Sequence, residues 1–352
     1  MIIRTASAAF ALAVLTSQPA AAAEIRVNVV NGHPPVFLWV KHLTETFIPT
    51  VDAALEGTEH SIVWTESYGG TLAAVGGELE ALEDGLAEIG VVPTVFEPTE
   101  LPLQNVTYFT PFSSPDAKIV MDTMEGLYDT VPALRQSWEE HDLEYLGGGF
   151  TLDNYLLMTT FPVSSIDDLK GHKVAGPGAA VNWLEGTGAV GVSGNLTTYY
   201  SDLQTGVFEG VIVFPTAAGP AKLAEVAPYI TITDFGAQYA GTMVANKPWF
   251  DAQPVEVQEA LRTGAEAYTD AYLAEQAQLV AAALEGMTAV GATITELAPE
   301  EKQRWADALP QIATTWMEAS DAAGLPGGEV LDAYMTGLTE NGATPLREWS
   351  QR

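Results

Sequence analysis

The chain contains no cysteine. Disulfide bonds, thiolate nucleophiles, cysteine-ligated zinc and an N-terminal lipoprotein anchor are therefore excluded. Basic residues are also scarce, because 14 Lys and Arg stand against 46 Asp and Glu, for a formal net charge of −32. This balance excludes a nucleic-acid binder, whose affinity depends on neutralising phosphates, and it disfavours an anionic membrane surface as a partner.

Signatures of catalysis and of metal binding are missing as well. The five histidines show no ligand spacing such as H-E-x-x-H, and no G-x-S-x-G nucleophile motif occurs. Residues 186–191 match G-x-G-x-x-G, but they follow a helical stretch rather than a strand, so they do not indicate a dinucleotide site. We expect a protein that is not an enzyme and holds no metal and no cofactor.

The N-terminus has the pattern of an export signal. Arg4 is followed by an apolar stretch over 6–15 and by the small residues of 21–23, which predicts cleavage after Ala23. This stretch is shorter than the roughly 20 apolar residues that span a bilayer. We therefore predict a signal peptide over 1–23 and a mature protein that is soluble in the periplasm.

The rest of the chain has the composition of a two-domain α/β protein. It has 352 residues, of which 47% are hydrophobic, enough for about two domains. Alternating strand and helix patterns predict a parallel sheet. Strands are expected at 25–30, 60–64, 89–92, 155–158, 172–175 and 209–214, and helices at 37–55, 77–85, 116–140, 166–171, 180–184 and 198–204.

Two further segments bear on how the domains are joined. Residues 254–287 are nearly all helix formers, interrupted by Gly264, and a helix of that length would extend roughly 50 Å, enough to bridge two lobes. The three glycines of 147–149 match no phosphate-binding loop and are interpreted as a flexible turn where the chain crosses between lobes.

Two motifs carry a family resemblance. The first is FPVSSIDDLKGHKV over 161–174, and the second is YYSDLQTGVFEG over 199–210. Together they resemble the solute-binding proteins of tripartite ATP-independent periplasmic (TRAP) transporters, and the segments 77–92 and 246–250 are similar as well. The matching positions are Pro162, Val163, Asp168, Leu169, Lys170, Gly171, Lys173, Tyr200, Leu203, Gln204, Gly206, Val207 and Gly210.

The resemblance implies an α/β fold of two lobes with crossing strands and a long bridging helix. We assign 24–151 plus 237–275 to lobe I, and 152–236 plus 276–352 to lobe II. It also implies a receptor that captures a small organic molecule and delivers it to the TRAP permease subunits in the membrane. The first alternative is the receptor of an ATP-driven (ABC) importer. The second, which the sequence favours less, is an exported enzyme on a similar scaffold.

At two positions the chain differs from the residues that the resemblance implies for binding a carboxylate. Where the resemblance places an Arg that clamps a carboxylate, this chain has Ala175, and no Asn follows Glu209 and Gly210. An organic acid would then be held by backbone N–H groups of 176–180 at a helix start. Alternatively the ligand is neutral, zwitterionic or cationic and is held by aromatic faces and carboxylates such as Asp153 or Glu209.

Aromatic side chains near the predicted strand ends are the candidates for a cleft wall, although plain core packing accounts for such residues equally well. We expect Trp183, Tyr199 and Phe214 to form one apolar wall. The predicted ligand-binding residues are His33, Tyr68, Phe150, Asn154, Ala175, Gly176, Trp183, Tyr199 and Phe214.

Overall fold

The structure is a computed structural model that describes residues 23–351. The predicted signal peptide therefore lies outside the described residues, apart from Ala23, where the first strand begins. Residues 23–351 form nine β-strands. They are β1 (Ala23–Asn31), β2 (His60–Tyr68), β3 (Ile89–Pro93), β4 (Leu143–Thr159), β5 (Lys173–Gly176), β6 (Val190–Ser193), β7 (Gly210–Val213), β8 (Tyr229–Asn246) and β9 (Thr293–Glu296).

The same part of the chain contains twelve α-helices and several short 3₁₀ segments. The helices are α1 (Leu38–His42), α2 (Ile48–Leu55), α3 (Glu78–Glu83), α4 (Ala117–Thr130), α5 (Pro132–Glu139), α6 (Tyr199–Thr205), α7 (Pro215–Ala218), α8 (Lys247–Asp251), α9 (Val255–Ala289), α10 (Pro299–Ala308), α11 (Ile312–Ala322) and α12 (Gly327–Glu340). Of these helices, none has the length and apolar character needed to cross a membrane.

One sheet runs through the molecule in the order β2-β1-β3-β8-β4-β7-β5-β6, with β9 beside β8. The strands β1, β2 and β3 are parallel at one end, and β5, β6 and β7 are parallel at the other. The antiparallel strands β4 and β8 belong to both ends, because β8 pairs with β3 through 241–245 and β4 pairs with β7 through 156–159. The predicted two-lobe α/β fold with crossing strands is confirmed.

The crossing strands are irregular. Their pairing shifts register between Gly147 and Phe150 and again between Leu152 and Tyr155, and β8 has positive φ angles at Asp234 and Gly236. Such irregularities bend and twist a strand pair. The expectation of a turn at 147–149 is wrong, since these glycines lie inside β4, where they fall at a register shift.

The predicted helix over 116–140 is divided. It forms α4 and α5 with Val131 extended between them, because Pro132 disfavours helical geometry at the residue before it. The segments 166–169 and 178–184 are helical as expected, but they are 3₁₀ turns. The helix predicted over 37–55 begins at Leu38 and contains one π-helical segment, Leu43–Phe47, between α1 and α2.

The long helix is α9, and its 35 residues would extend roughly 52 Å. It contacts α1 and α2 beside the β1–β3 end of the sheet, and it contacts β4 and α7 towards the β5–β7 end, as a bridging helix must. At Gly264 the helix packs closely against α2. A Cβ atom there would lie 2.5 Å from Val51 Cγ2, so a glycine is required for this packing.

The C-terminal helices are fixed by tryptophan hydrogen bonds. The indole N–H groups of Trp305, Trp316 and Trp349 donate to the carbonyls of Trp183, Pro102 and Pro111 at 2.7, 3.0 and 2.8 Å. Moreover, α12 packs on α4, and α11 and α12 pack on the 3₁₀ segment 102–109. Apart from Trp183, the predicted boundaries assign these partners to the other lobe, and the division at 275/276 stays a prediction.

Candidate functional site

A narrow cavity lies between the lobes. Its walls come from both parallel ends of the sheet and from the two crossing strands. The lining residues are His33, Trp39, Pro93, Val95, Phe96, Phe150, Leu152, Tyr155, Pro177, Leu196, Tyr199, Ile212, Val213, Phe214 and Ala240.

The position of the cavity follows from the sheet topology. His33 comes after β1, Val95 follows β3, Pro177 follows β5, Leu196 follows β6 and Phe214 follows β7. All five residues therefore stand beyond the carboxyl ends of parallel strands, where α/β sheets bind their ligands. The cavity is the candidate functional site of this fold.

Aromatic rings from both lobes meet in the cavity wall. Trp39 lies 5.9 Å from Phe150 in a stacked arrangement and 6.1 Å from Phe214, between ring centroids. Phe214 in turn lies 5.1 Å from Tyr155. Because Trp39 belongs to the first lobe and Phe214 to the second, this contact shows that the lobes have come together.

A second contact across the cleft is closer still. A Cβ atom on Gly178 in the second lobe would lie only 2.1 Å from the carbonyl oxygen of Val95 in the first, and the φ angle of Gly178 is +48°. Both the clearance and the backbone angle favour glycine there. The lobes therefore meet at a point where no side chain fits.

Two nitrogen atoms of the cavity residues have no partner. His33 Nδ1 and Trp39 Nε1 are buried and make no hydrogen bond within the described chain, although each side chain is only 3% exposed. The ring of His33 stands edge-on to Trp39, with centroids 5.1 Å apart. Buried polar groups are nearly always paired, so these two nitrogens are the candidate hydrogen-bonding groups of the cavity wall.

The other polar groups of the wall have partners. The hydroxyl groups of Tyr155 and Tyr108 share a hydrogen bond at 3.3 Å, and the Tyr199 hydroxyl reaches the carbonyl of Gly194 at 3.5 Å. Burial lowers the pKa of His33 to about 4, so its imidazole is neutral at physiological pH. The cavity therefore offers few polar contacts and no titrating one near neutrality.

His33 is held in place by its neighbours in the loop after β1. The Asn31 side chain accepts a hydrogen bond from the His33 backbone N–H at 2.9 Å and donates to the carbonyl of Val91 at 2.9 Å, which ties the loop to β3. The carboxylate of Glu78 accepts from the N–H groups of Gly32, at 2.8 Å, and Gly76, at 2.7 Å. Sequence reasoning missed Glu78, because nothing distinguishes it from the exposed acids of 77–85.

A buried polar cluster joins β4, α7 and α9 behind the cavity. Asp153 accepts hydrogen bonds from the backbone N–H of Thr216, at 3.2 Å, and from the Thr216 hydroxyl. Gln276 of the bridging helix donates to the Thr151 carbonyl at 2.6 Å and contacts Asp153 at 3.5 Å. Burial raises the pKa of Asp153 to about 6. The cluster fixes β4 to α9 where the strands cross between lobes.

Four of the nine predicted site residues line the cavity, namely His33, Phe150, Tyr199 and Phe214. The structure brings them together from the loop after β1, from β4, from α6 and from the residue after β7. Their contact with a ligand stays a prediction. Of the expected wall of three aromatics, Tyr199 and Phe214 are present in it.

Trp183 lies behind the wall rather than in it. It stacks on Tyr108 at 5.9 Å, stands edge-on to Tyr155 at 5.4 Å and donates its indole N–H to the Tyr108 carbonyl at 2.7 Å. It is completely buried. Its neighbour Tyr155, absent from the predicted set, lines the cavity in its place.

The remaining four predicted residues do not line the cavity. Tyr68 ends β2 next to Asn31, and Asn154 donates to Asp234 at 2.7 Å on the far side of β4. Ala175 is buried against β7, and Gly176 immediately precedes the lining residue Pro177. These four stay predictions as ligand contacts.

The carboxylates and backbone N–H groups predicted to recognise a charged ligand lie outside the cavity wall or are already hydrogen-bonded. Glu209 contacts His172 at 3.0 Å at the surface, and Asp153 is committed to Thr216, so neither carboxylate lines the cavity. In the segment 176–180, the Ala180 N–H donates to the Pro177 carbonyl at 3.0 Å within a 3₁₀ turn. Among residues 23–351, no cluster of His, Asp or Glu has the arrangement of a metal site.

Two lobes that close on an aromatic cavity at their strand ends define the class of solute-binding proteins. A family model described as bacterial extracellular solute-binding protein, family 7, matches residues 52–319. The chain belongs to this family, and the resemblance expected from its motifs is confirmed. The family is one of binding proteins rather than enzymes.

Solved structures share the fold at low sequence identity. A marine metagenome TRAP solute-binding protein specific for aromatic acids, in complex with 3-hydroxybenzoate, is 18% identical with a TM-score of 0.79, over 91% of this chain and 99% of that one. A marine metagenome TRAP protein specific for pyroglutamate is 19% identical with a TM-score of 0.77, over 90% and 99%. The ectoine-binding protein of the TeaABC TRAP transporter of Halomonas elongata is 20% identical with a TM-score of 0.74, over 90% and 100%. No curated protein sequence matches the chain.

Proposed function

We propose that this protein is the periplasmic receptor of a TRAP transporter, which captures a small organic molecule between its lobes and delivers it to the permease subunits. The observation that supports this most is the inter-lobe cavity, whose wall carries the two unpartnered nitrogens of His33 and Trp39. The family assignment and the TRAP receptors among the structural neighbours support the same function.

Closure of the lobes is the proposed working motion. The division proposed is 24–151 with 237–275 against 152–236 with 276–352, and the irregular pairing of β4 and β8 supports a bend between them. In the closed arrangement the Trp39–Phe214 contact buries the ligand, and opening releases it to the permease. The four lining residues His33, Phe150, Tyr199 and Phe214 are proposed as ligand contacts.

Ligand binding is tested by thermal unfolding of the mature protein against a library of small metabolites. A ligand at 100 times its Kd stabilises the folded state by about 2.7 kcal/mol, which is a readily measured rise in Tm. The bound compound should be recovered chemically unchanged by mass spectrometry, because the family is one of binding proteins. A compound recovered as a product would favour the exported enzyme instead.

The transporter class and the export route are tested separately. Genes for TRAP permease subunits beside this gene support the proposal, whereas genes for an ATPase and its membrane partner support the ABC alternative. Expression with residues 1–23 intact should yield a periplasmic protein whose N-terminal residue is Glu24. An uncleaved product in the cytoplasm would contradict the export signal.

A further inference from the structure

The cavity carries no charge on its wall. None of the lining residues among 23–351 is Lys, Arg, Asp or Glu, and Ala175 stands where the family resemblance places an arginine. Within the described residues, His33 is the only lining side chain that can become a cation, and burial keeps its imidazole neutral at physiological pH. A carboxylate in this cavity would lose its hydration without gaining a counter-ion, which costs several kcal/mol.

An ammonium group meets a different obstacle. Aromatic faces attract cations, but the unpartnered indole N–H of Trp39 is a hydrogen-bond donor, and an ammonium offers only further donors. The carboxylate of Asp153 does not line the cavity, and its oxygens are engaged by Thr216 and Gln276. A cationic ligand would therefore leave Trp39 Nε1 unpaired and would itself lack an anion.

The unpaired atoms specify what does fit. Trp39 Nε1 requires an acceptor, and His33 Nδ1 is either an acceptor or a donor according to its tautomer. A carbonyl or hydroxyl oxygen satisfies the indole, and a hydroxyl satisfies both nitrogens. The remaining wall of Phe150, Tyr155, Ile212 and Phe214 favours an apolar ring or branched chain.

We propose that the ligand is an uncharged, largely apolar small molecule, with one carbonyl or hydroxyl group that hydrogen-bonds to the unpartnered nitrogens of His33 and Trp39. This inference rests on the proposed function and names the ligand class of the same cavity. It separates this protein from neighbours that bind 3-hydroxybenzoate or pyroglutamate.

The first experiment is a binding screen in three arms of equal size and matched molecular mass: uncharged, carboxylate and ammonium compounds at pH 7.5. Acetophenone, benzoate and benzylamine are one matched set within it. Thermal shift identifies binders and calorimetry gives their Kd. We expect the tightest binders in the uncharged arm. Tightest binding in either charged arm overturns the inference but leaves the receptor function intact, whereas binding in no arm contradicts both.

The second experiment tests the hydrogen bond to Trp39. The variant Trp39→Phe keeps an aromatic ring and removes the donor, so the tightest uncharged binder should bind roughly threefold to tenfold more weakly. The matched control is Trp64→Phe, because the Trp64 indole donates to Asp52 at 2.9 Å away from the cavity. An unchanged Kd for Trp39→Phe overturns the proposed acceptor contact.

A third measurement needs no variant. Because neither the ligand nor His33 titrates near neutrality, Kd of the native protein for its tightest uncharged binder should be constant between pH 6 and pH 8.5. A Kd that falls steadily as pH drops would show a protonated partner for an anion and would overturn the inference.

Discussion

Trp183 stands edge-on to Tyr155, with ring centroids 5.4 Å apart, and Tyr155 separates it from the cavity. The hydrogen bond from the Trp183 indole to the Tyr108 carbonyl fixes this arrangement from behind. Trp183 therefore supports the wall without belonging to it. The sequence predicts Trp183 in the cavity wall, whereas its ring lies one layer behind the wall.

This relationship predicts opposite effects for two truncations. Trp183→Ala should lower the free energy of unfolding by about 3–5 kcal/mol, since it empties a fully buried site, and should change Kd of the tightest binder less than about threefold. Phe214→Ala, its comparison in the wall, should weaken binding at least about tenfold, or 1.4 kcal/mol. Urea unfolding and calorimetry measure both. Tenfold weaker binding in Trp183→Ala with full stability would contradict the assignment.

Gly178 gives a test of the contact between lobes. Gly178→Ala introduces a Cβ that collides with the Val95 carbonyl oxygen of the other lobe, so we expect the closed state to be disfavoured and Kd to rise at least about tenfold. The matched control is Gly206→Ala, which has a φ of +73° but nothing within 4 Å of its Cβ. Each variant bears a backbone strain of about 1 kcal/mol. Equal affinities in the two variants would count against the closure contact.

The buried cluster at the crossing strands predicts a loss of stability. Thr216→Val keeps the shape of the side chain and removes its hydrogen bond to the Asp153 carboxylate. We expect the free energy of unfolding to fall by about 1.5–3 kcal/mol at pH 7.5. Thr205→Val on the exposed surface is the control and should change it by less than about 0.5 kcal/mol. If both variants unfold at the same urea concentration, the cluster does not stabilise the crossing.

His33 predicts a pH dependence of stability. Its folded-state pKa is about 4 against 6.5 in the unfolded chain, so below pH 6.5 the unfolded state binds the proton first. The folded state therefore loses stability as pH falls from 6.5 to 4, by about 3 kcal/mol in total. The difference in unfolding free energy between the wild type and His33→Gln isolates this effect, because the opposite contribution of Asp153 cancels. A wild type that gains stability relative to the variant on acidification would refute it.

Local patterns in the sequence were sufficient to predict much of the fold. The helix over 254–287 is found at Val255–Ala289, because an unbroken run of helix formers is a local signal. The lengths of β4 and β8 were not predictable in this way. Each passes from one parallel end of the sheet to the other, and the glycines of 147–149 in β4 are typical of a turn when read without their partner strand.

The site was predictable in part for the same reason. His33 and Phe214 follow strands whose ends are visible in the sequence, and both line the cavity. The burial of Glu78 and Asp153 could not be predicted, because nothing in the sequence distinguishes the buried ones among 46 acidic residues. Trp183 and Tyr155 differ only in which tertiary layer they occupy, and sequence spacing carries no information on that.

The most direct test of the account is the distance across the cleft mouth with and without ligand. The absence of cysteine allows two spin labels to be placed without ambiguity, at Val36→Cys and Thr198→Cys, exposed positions near His33 and Tyr199 on opposite lobes. A second pair within the first lobe, Val36→Cys with Val63→Cys, serves as the control. Pulsed electron paramagnetic resonance should show the Val36–Thr198 distance shortening and its distribution narrowing when the tightest uncharged binder saturates the protein, while the control pair is unchanged. An identical Val36–Thr198 distribution at saturation would contradict capture by closure of the lobes.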